Sequence, residues 1–320
     1  MRCLVAFAAC LASSAAADPL PSWTATATKA RILDFVGAVT ELGSDEYVTP
    51  ADRIAVFDND GTLWAEKPVY FQLLFAVDRL REMAAADPAI LSSDVLTAAA
   101  EGDLEAVAAA GTEGLLELVA TTHSGLTVHE FMAEAREWLD TATHPQTGLP
   151  YDAMVYQPML ELLRYLRDED FTTYIVSGGG LHFIRAFADD AYGIPPSQVV
   201  GTTSNAAYEV RDGEPVITKD PGIFFLDDKA GKPVAIDARI GKRPILAAGN
   251  WDGDFEMLEW TTAGAGPRLG LIVHHTDGER EFAYDRDSHV GRLDRGLDEA
   301  GERGWLLIDM AEDWEQVWPD

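Results

Sequence analysis

A short apolar run that ends in two acids constrains the fold of this chain more than any other feature of its sequence. Residues 54–57 read Ile-Ala-Val-Phe, which is typical of a buried parallel strand, and Asp58 and Asp60 follow at once. In open α/β sheets ligands bind at the carboxyl ends of the strands, so we expect both carboxylates to face one site there. Gly61 permits a tight turn, and the Thr62 hydroxyl can donate a hydrogen bond to an anion. Paired carboxylates suit a hard cation such as Mg²⁺, and they can also act as nucleophile and proton donor.

The stretch from Asp58 to Leu63, Asp-Asn-Asp-Gly-Thr-Leu, resembles the first motif of the haloacid dehalogenase-like hydrolases, whose commonest members are phosphomonoesterases. The alternative is a surface turn, because Asp-Gly is a common turn signal. A turn needs neither the apolar strand before the acids nor the Leu63-Trp64 pair after them, so the context favours a catalytic motif. The resemblance implies that Asp58 is the nucleophile, that Asp60 is the general acid and base, and that both help to hold Mg²⁺.

A second strand, predicted over residues 171–176, leads into Ser177, three glycines and a predicted helix over residues 181–190. Backbone N–H groups and a helix dipole at such a turn form an anion site. Three glycines after a strand are a weak signal alone, but together with the first motif they match the second motif of the superfamily. The match implies that Ser177 and Gly178 bind the phosphoryl group, together with Thr62.

The superfamily places its third motif, a lysine, at a helix start shortly before the fourth motif. Lys232 fits this place best, and Lys229 and Lys242 are the competing residues. The alternative is that all three are solvated surface lysines, as most lysines are. An aspartate beside a phosphate needs one ammonium group to neutralise its charge, which favours a functional lysine.

The fourth motif is expected after the buried strand predicted at residues 244–248. In the usual pattern a Gly-Asp pair comes first and a second Asp lies four residues later, and both acids serve Mg²⁺. Here Asn250 stands at the first position and Asp254 at the later one, with Asp252 as an additional carboxylate between them. An Asn carbonyl oxygen can ligate Mg²⁺ without contributing charge. The sequence therefore leaves open which of the three residues contacts the metal.

The segments between these motifs predict an α/β fold. Residues 68–143 carry Leu- and Ala-rich helical patterns with almost no strand signal, and Thr127 opens one helix with a capping box. Residues 144–150 look like a linker, and the strands and helices of the core resume afterwards. The pattern resembles a doubly wound, mostly parallel sheet with an inserted α-helical cap. We expect the core at residues 18–66 and 151–320 and the cap at residues 67–150.

The first 17 residues have the features of an export signal: a positive start, a short apolar stretch and an Ala-x-Ala site before Asp18. We therefore expect cleavage after Ala17 and a periplasmic or secreted product. Lipoprotein processing at Cys10 is the alternative, but Phe7 fits its upstream position poorly. Since Cys3 and Cys10 are the only cysteines, the mature protein is expected to contain no disulfide.

Composition excludes some classes of partner. Acids outnumber bases 54 to 24, for a formal charge of −30, so the chain repels nucleic acid and anionic membranes. A phosphate site in such a protein requires a local cation. No later stretch is apolar enough to span a membrane. The adjacent pair His274-His275 is interpreted as structural, because neighbouring strand residues face opposite sides. Arg185 and His182 follow the second motif. A contact with the substrate and a role on the helix surface are both open for these residues.

The resemblance implies a Mg²⁺-dependent phosphomonoesterase that acts on a small phosphorylated substrate through an aspartyl-phosphate intermediate. The layout is similar to phosphoserine phosphatases, and a periplasmic phosphocholine phosphatase is the sharper alternative for an exported enzyme. Trp64, Tyr70 and Phe71 can pack against a leaving group, although a role in the core of the hinge and cap is favoured. A non-catalytic phosphoester-binding module on the same fold is the alternative of a different class. The sequence leaves the natural substrate and the oligomeric state open.

Overall fold

The buried strand predicted before the first acids lies at the centre of a seven-stranded sheet. The computed structural model describes residues 17–319, so residues 1–16 of the predicted signal peptide, which include Cys10, lie outside the described residues. The strands are β1 (Ile54–Phe57), β2 (Thr172–Gly180), β3 (Val199–Arg211), β4 (Glu214–Phe225), β5 (Leu246–Gly249), β6 (Leu269–His274) and β7 (Leu306–Asp309). Their order is β4-β3-β2-β1-β5-β6-β7, and all neighbouring pairs are parallel except β3 with β4.

Helices connect and cover these strands. They are α1 (Ala27–Thr40), α2 (Phe71–Ala86), α3 (Asp94–Glu101), α4 (Leu104–Ala109), α5 (Gly111–His123), α6 (Val128–Thr141), α7 (Gln157–Asp168), α8 (Leu181–Arg185), α9 (Ala188–Tyr192), α10 (Gly231–Arg239), α11 (Phe255–Thr262), α12 (Arg295–Arg303) and α13 (Met310–Asp313). Within the described residues, we find no helix long and apolar enough to cross a membrane.

The sheet is covered on both faces, which explains why β1 is apolar at every position. Ala55 and Phe57 pack in one cluster with residues of α1, α7 and α13. Ile54 and Val56 belong to a second cluster with residues of α10, α11 and α12. Alternate side chains of a strand point to opposite faces, so a central strand with two covered faces must be apolar throughout. The predicted doubly wound, mostly parallel fold is confirmed.

The strand order places a switch point beside β1. The chain runs from β1 outward to β2 and β3, and later returns to pair β5 with the other side of β1. The loops that follow β1 and β5 therefore leave neighbouring strand ends in diverging directions, and a crevice forms between them. Asp58 follows β1 and Asn250 follows β5, so this topology brings the first and fourth motifs together.

The helices α2 to α6 lie between β1 and β2 in the sequence, as expected for an inserted helical segment. The helices α2 to α5 bury an apolar cluster of their own, formed by Ala76, Val77, Leu80, Leu96, Ala99, Val107 and Leu118. The predicted capping box is present: the Thr127 hydroxyl accepts from the N–H of Glu130, and the Glu130 carboxylate accepts from the N–H of Thr127. The division of the chain into core and cap domains remains a prediction.

The strands β3 and β4 form a long hairpin that leaves the sheet and contacts the helical insertion. The two strands are joined at Asp212-Gly213, where both residues have positive φ. The backbone N–H of Lys219 in β4 donates to Leu126 O at 2.8 Å, and Gly125 N donates to Lys219 O at 2.9 Å. The hairpin and the insertion thus enclose space above the strand ends.

Three local predictions differ from the structure. The helix expected over residues 181–190 is divided into α8 and α9, and the glycines before it belong to β2. The helix α12 was not predicted. The helix α12 carries mostly charged residues and two glycines, so its apolar pattern is weak, and its first N–H groups are capped by a residue distant in sequence.

Candidate functional site

The carboxylates of the first motif lie where the sequence placed them, at the end of β1. Asp58 is buried and continues the sheet contacts of its strand, with its N–H donating to Ala248 O at 2.9 Å. The turn that follows requires glycine, because Gly61 has φ +72° and a Cβ there would lie 2.0 Å from Asn250 Nδ2. This turn directs Asp58 and Asp60 into one cavity.

Lys232 is the motif lysine that reaches the site. Its side chain is fully buried, and Nζ lies 2.9 Å from Asp58 Oδ1 and 2.5 Å from Asp254 Oδ1. The ammonium also donates to Val176 O at 3.0 Å. Burial by itself lowers the pKa of Lys232, but the two carboxylates outweigh it and raise the pKa above its ordinary value. Lys232 therefore carries a positive charge beside Asp58 at neutral pH.

The two lysines that competed for this place lie elsewhere. Lys242 is exposed and pairs with Asp52 at 2.7 Å on the surface. Lys229 lines the cavity but has φ +51° in the loop before α10. Lys229 and Lys232 are three positions apart in one short segment, and the fold brings the ammonium group of Lys232 to Asp58.

Asp60 has the environment of a group that exchanges protons near neutral pH. Burial and the negative charge of Asp58 raise the pKa of Asp60 to about 7. The Trp64 indole N–H donates to Asp60 Oδ1 at 2.9 Å and has a smaller, opposite effect on this pKa. Asp60 also faces the glycine loop, because a Cβ at Gly179 would lie 3.5 Å from Asp60 Oδ2. A carboxyl group with this pKa can both give and take a proton at physiological pH.

The loop of the second motif lies next to these acids as an extension of β2. Ser177 is fully buried, and its Oγ accepts a hydrogen bond from Gly179 N at 3.1 Å. Gly178 is exposed to the cavity. The N–H of Gly180 is already bound, since it donates to the Gln72 side chain of α2 at 2.7 Å. Ser177, Gly178 and Gly179 therefore form the part of this loop that faces both Asp60 and the cavity.

The three residues of the fourth motif have different surroundings. Asp254 uses one carboxylate oxygen for Lys232 and the other for the N–H of Asn250 at 3.0 Å. Asp252 accepts from the N–H groups of Asp294, Arg295 and Gly296 at 2.9–3.1 Å and thereby caps α12. Both carboxylates thus have partners within the chain, and their roles as metal ligands remain predictions.

Asn250 is held in one orientation at the switch point. Its Nδ2 donates to Glu66 Oε1 at 2.7 Å, and its Oδ1 accepts from the Thr62 hydroxyl at 3.2 Å. Tyr284 also donates to Glu66 at 2.8 Å, and burial raises the pKa of Glu66. Thr62, predicted to bind phosphate, thus points its hydroxyl at Asn250. Glu66 was not identified from the sequence, although it follows the first motif closely.

The donor set around Asp58 fits a hard divalent cation. The described residues contain no group of three or more His, Cys, Asp or Glu side chains arranged to hold a metal ion. A metal site here would have to be completed by an Asn250 oxygen or by backbone carbonyls. The acids here nevertheless outnumber the ammonium of Lys232: Asp58, Asp227 and Asp254 are buried, and Asp60 is partly buried. Neither carboxylate oxygen of Asp227 has a hydrogen-bond partner within residues 17–319, and burial raises the pKa of Asp227 to about 7. Oxygen donors with an excess of negative charge are the environment that Mg²⁺ prefers.

A cavity of about 440 Å³ opens over the acids and the glycine loop. Its floor is formed by the ends of β1 and β2, and its walls by α2, α5, α6 and the β3–β4 hairpin. The walls are mainly apolar, and they include Leu73, Leu115, Leu116, Val119, Phe131 and Ile223. A mostly apolar pocket with a few convergent polar groups is typical of a small-molecule site.

The aromatic residues after the first motif divide between core and cavity. Trp64 and Phe71 are fully buried, and Trp64 stacks on Phe187 with ring centroids 4.4 Å apart. Tyr70 lines the cavity. Trp64 therefore has a role that the sequence did not suggest, since its N–H contacts Asp60 while its rings pack in the core.

The histidines noted in the sequence also have different surroundings. His275 is buried, with Nε2 2.8 Å from Gly61 O and Nδ1 3.2 Å from Glu281 Oε2, and so supports the first-motif turn. His274 faces Asp285 instead, at 3.5 Å. His182 lines the cavity, whereas Arg185 donates to Val199 O at 3.3 Å on the adjoining strand. The structural interpretation of the His274-His275 pair agrees with these contacts.

The comparison with protein families agrees with the motif geometry. A family model described as haloacid dehalogenase-like hydrolase matches residues 55–259, which is more than half of the chain and includes all four motifs. A comparison with curated proteins found no match.

Two solved structures of bacterial proteins share this fold. A protein of unknown function from Bordetella pertussis Tohama I is 20% identical, with a TM-score of 0.50 over 81% of this chain and 98% of its own. A conserved protein of unknown function from Anaerococcus prevotii DSM 20548 is 17% identical, with a TM-score of 0.51 over 78% and 86% of the two chains. At these identities the likeness shows a shared fold alone.

Proposed function

Because the chain belongs to the haloacid dehalogenase-like hydrolase family, we propose that it is a Mg²⁺-dependent phosphomonoesterase that forms a phosphoryl intermediate on Asp58. The contact that carries this proposal is the 2.9 Å approach of Lys232 Nζ to Asp58 Oδ1, in a cavity that Asp60 and the Ser177–Gly180 loop also line. One ammonium group beside a buried carboxylate provides the local cation that a dianionic phosphate needs in a chain of formal charge −30.

In the first step, an Asp58 carboxylate oxygen attacks the phosphorus of the ester in line with the bond to the leaving oxygen. The new bond joins Asp58 to phosphorus, and the bond from phosphorus to the leaving oxygen breaks. Asp60 gives its proton to that oxygen, so the alcohol departs neutral. The pKa of about 7 supports this role, because a substantial fraction of Asp60 is protonated at neutral pH.

In the second step, Asp60 is ionised and takes a proton from a water molecule. The water oxygen attacks the phosphorus, and the bond between phosphorus and Asp58 breaks to release phosphate. The chain returns to its starting state, with Asp60 protonated and Asp58 ionised. Lys232 stays between Asp58 and Asp254 throughout and offsets the negative charge that the transferring group brings.

The remaining polar groups hold the phosphoryl group and the metal ion. Ser177 and the N–H group of Gly178 are proposed to bind phosphoryl oxygens, with Lys232 on another side. Asp58, the backbone carbonyl of Asp60 and the side-chain oxygen of Asn250 are proposed to hold Mg²⁺, which supplies charge neutralisation when it is bound. Asp254 keeps Lys232 and the Asn250 loop in place.

Two further parts of the proposal concern location and substrate. We propose that the protein is exported after cleavage behind Ala17, which N-terminal sequencing of protein isolated from its host tests directly. The substrate is a small phosphate ester, because the cavity holds about 440 Å³. A non-catalytic binding module is the alternative, and it requires that ester binding proceed without release of phosphate.

The test is phosphate release by the purified mature protein from a panel of esters, with and without EDTA. We expect turnover of p-nitrophenyl phosphate that stops with EDTA and returns with added Mg²⁺. Binding of the esters without any phosphate release, at any divalent ion concentration, would contradict the enzyme proposal and support the binding module.

A further inference from the structure

A buried ammonium group without a carboxylate partner lines the same cavity. Lys219 lies in β4, its side chain is only 4% exposed, and it is part of the cavity wall. Its Nζ donates to Ser204 Oγ at 2.8 Å, lies 3.3 Å from His182 Nδ1 and sits 4.5 Å above the Phe131 ring. We find no carboxylate paired with it in the part of the chain that the structure describes.

The neighbours of Lys219 do not supply the missing negative charge. Burial and the charge of Lys219 lower the pKa of His123 to about 3 and that of His182 to about 4, so both rings are neutral. Ser204 and Phe131 are neutral as well. Burial lowers the pKa of Lys219 itself to about 8, which leaves it charged at neutral pH. A charge buried in this way is costly unless something pairs with it.

The position of Lys219 is fixed by the fold. The backbone N–H and carbonyl of this residue both bond to the loop between α5 and α6, at Leu126 and Gly125. The side chain therefore comes from the point where the hairpin meets the helical insertion, and it points into the enclosed space between them. It does not contact Asp58 or Lys232, whose own ion pairs are complete.

We propose that Lys219, with Ser204 and His182, binds an oxyanion on the leaving group of the substrate, either a carboxylate or a second phosphate. This inference rests on the proposed function, because it names the class of ester that the site hydrolyses. The substrate is then a phosphate ester with an apolar middle part, which matches the Leu and Val side chains of the cavity wall. A quaternary ammonium group, as in phosphocholine, meets a like charge at Lys219 and is disfavoured.

The test compares esters that differ only in this group. Phenyl phosphate, 4-carboxyphenyl phosphate, hydroquinone bisphosphate and phosphocholine are assayed with the wild-type protein. Lys219→Met, Lys219→Arg and the exposed-lysine control Lys242→Met are assayed in parallel. We expect the wild type to prefer the two anionic aryl esters over phenyl phosphate by tenfold or more in kcat/KM, and to use phosphocholine poorly. The preferred anionic ester identifies carboxylate or phosphate as the natural group.

The Lys219→Met variant tests whether Lys219 causes the preference for anionic esters. In Lys219→Met, we expect the ratio of kcat/KM for 4-carboxyphenyl phosphate over phenyl phosphate to fall at least tenfold, mainly through KM. Lys219→Arg should restore part of the ratio, and Lys242→Met should leave it unchanged. An unchanged ratio in Lys219→Met, or an equal loss for both esters, would overturn the proposal.

A binding measurement keeps this test independent of catalysis. If no ester is hydrolysed, the proposed function fails, and calorimetric binding of the two aryl phosphates to wild type and Lys219→Met decides the inference alone. Tighter binding of the carboxylated compound that is lost in Lys219→Met supports it. Equal binding of both compounds, or binding of neither, overturns it.

Discussion

Lys232 and Asp58 form a buried ion pair, with 2.9 Å between Nζ and Oδ1, although 174 positions separate them in the sequence. The same ammonium reaches Asp254 at 2.5 Å. One lysine thereby links the end of β1, the helix α10 and the loop after β5. The pair defines the proposed reaction centre, since it brings the nucleophile and the positive charge together.

Replacing Lys232 with Met is expected to abolish turnover and to destabilise the fold. The change leaves Asp58 and Asp254 buried without their common partner, and breaking a buried pair in this way costs about 3–5 kcal/mol. Chemical denaturation followed by circular dichroism measures the free energy of unfolding. Lys242→Met, which removes an exposed ion pair with Asp52, should change it by less than about 1 kcal/mol. Equal effects of the two variants would contradict the central place of Lys232.

Asp60→Asn is expected to slow the hydrolysis of an ester most strongly when its leaving group must be protonated to depart. An alkyl alkoxide leaves poorly without protonation, whereas p-nitrophenolate does not need it. We therefore expect the first-step rate to fall by about 10²–10⁴-fold for an alkyl phosphate and much less for p-nitrophenyl phosphate. Rapid-quench measurement of alcohol release separates this step from hydrolysis of the intermediate. The same loss for both esters would argue against proton donation by Asp60.

Asn250 and Asp252 are expected to respond differently to substitution. Asn250→Ala removes an oxygen from the proposed metal site, so the Mg²⁺ concentration for half-maximal activity should rise by about tenfold or more. Asp252→Ala should leave that concentration unchanged, because the carboxylate caps α12. It should instead lower the free energy of unfolding by about 1 kcal/mol. A large shift in Mg²⁺ dependence for Asp252→Ala would place Asp252 at the metal.

Lys219 makes the stability of the protein depend on pH in a definite direction. Burial lowers its folded pKa to about 8, below the 10.5 of an ordinary lysine. Between these values the unfolded chain binds the proton and the folded chain does not, so stability rises with pH there. Lys219→Met should therefore be more stable than wild type by on the order of 1 kcal/mol at pH 7, and the difference should shrink towards pH 10.5. Denaturant titrations of both proteins at pH 7, 8.5 and 10 measure it. A constant difference would contradict the burial of a charged Lys219.

Local patterns predicted the parts of this structure that depend on a few neighbouring residues. The apolar strand before Asp58, the serine and glycines after β2 and the capping box at Thr127 all carry their signal within about ten positions. These features were sufficient to identify the fold and most of the residues around Asp58. The choice of Lys232 over Lys229 needed the resemblance, because both lie in one short segment.

Residues brought in by distant elements could not be predicted. Lys219 reaches the cavity because the β3–β4 hairpin contacts the loop of the helical insertion at Gly125 and Leu126. Gln72 similarly meets the glycine loop from α2. Asp252 looked like a metal ligand by position, and its contacts with α12 depend on a helix with almost no apolar pattern.

The most direct test of the account is the turnover of p-nitrophenyl phosphate by Asp58→Asn. The amide keeps the size of the side chain but cannot form the phosphoryl intermediate, so we expect turnover to fall by about 10⁴-fold or more. Circular dichroism and the Tm should show that the variant is folded. A folded Asp58→Asn protein that hydrolyses this ester at a near wild-type rate would contradict the account.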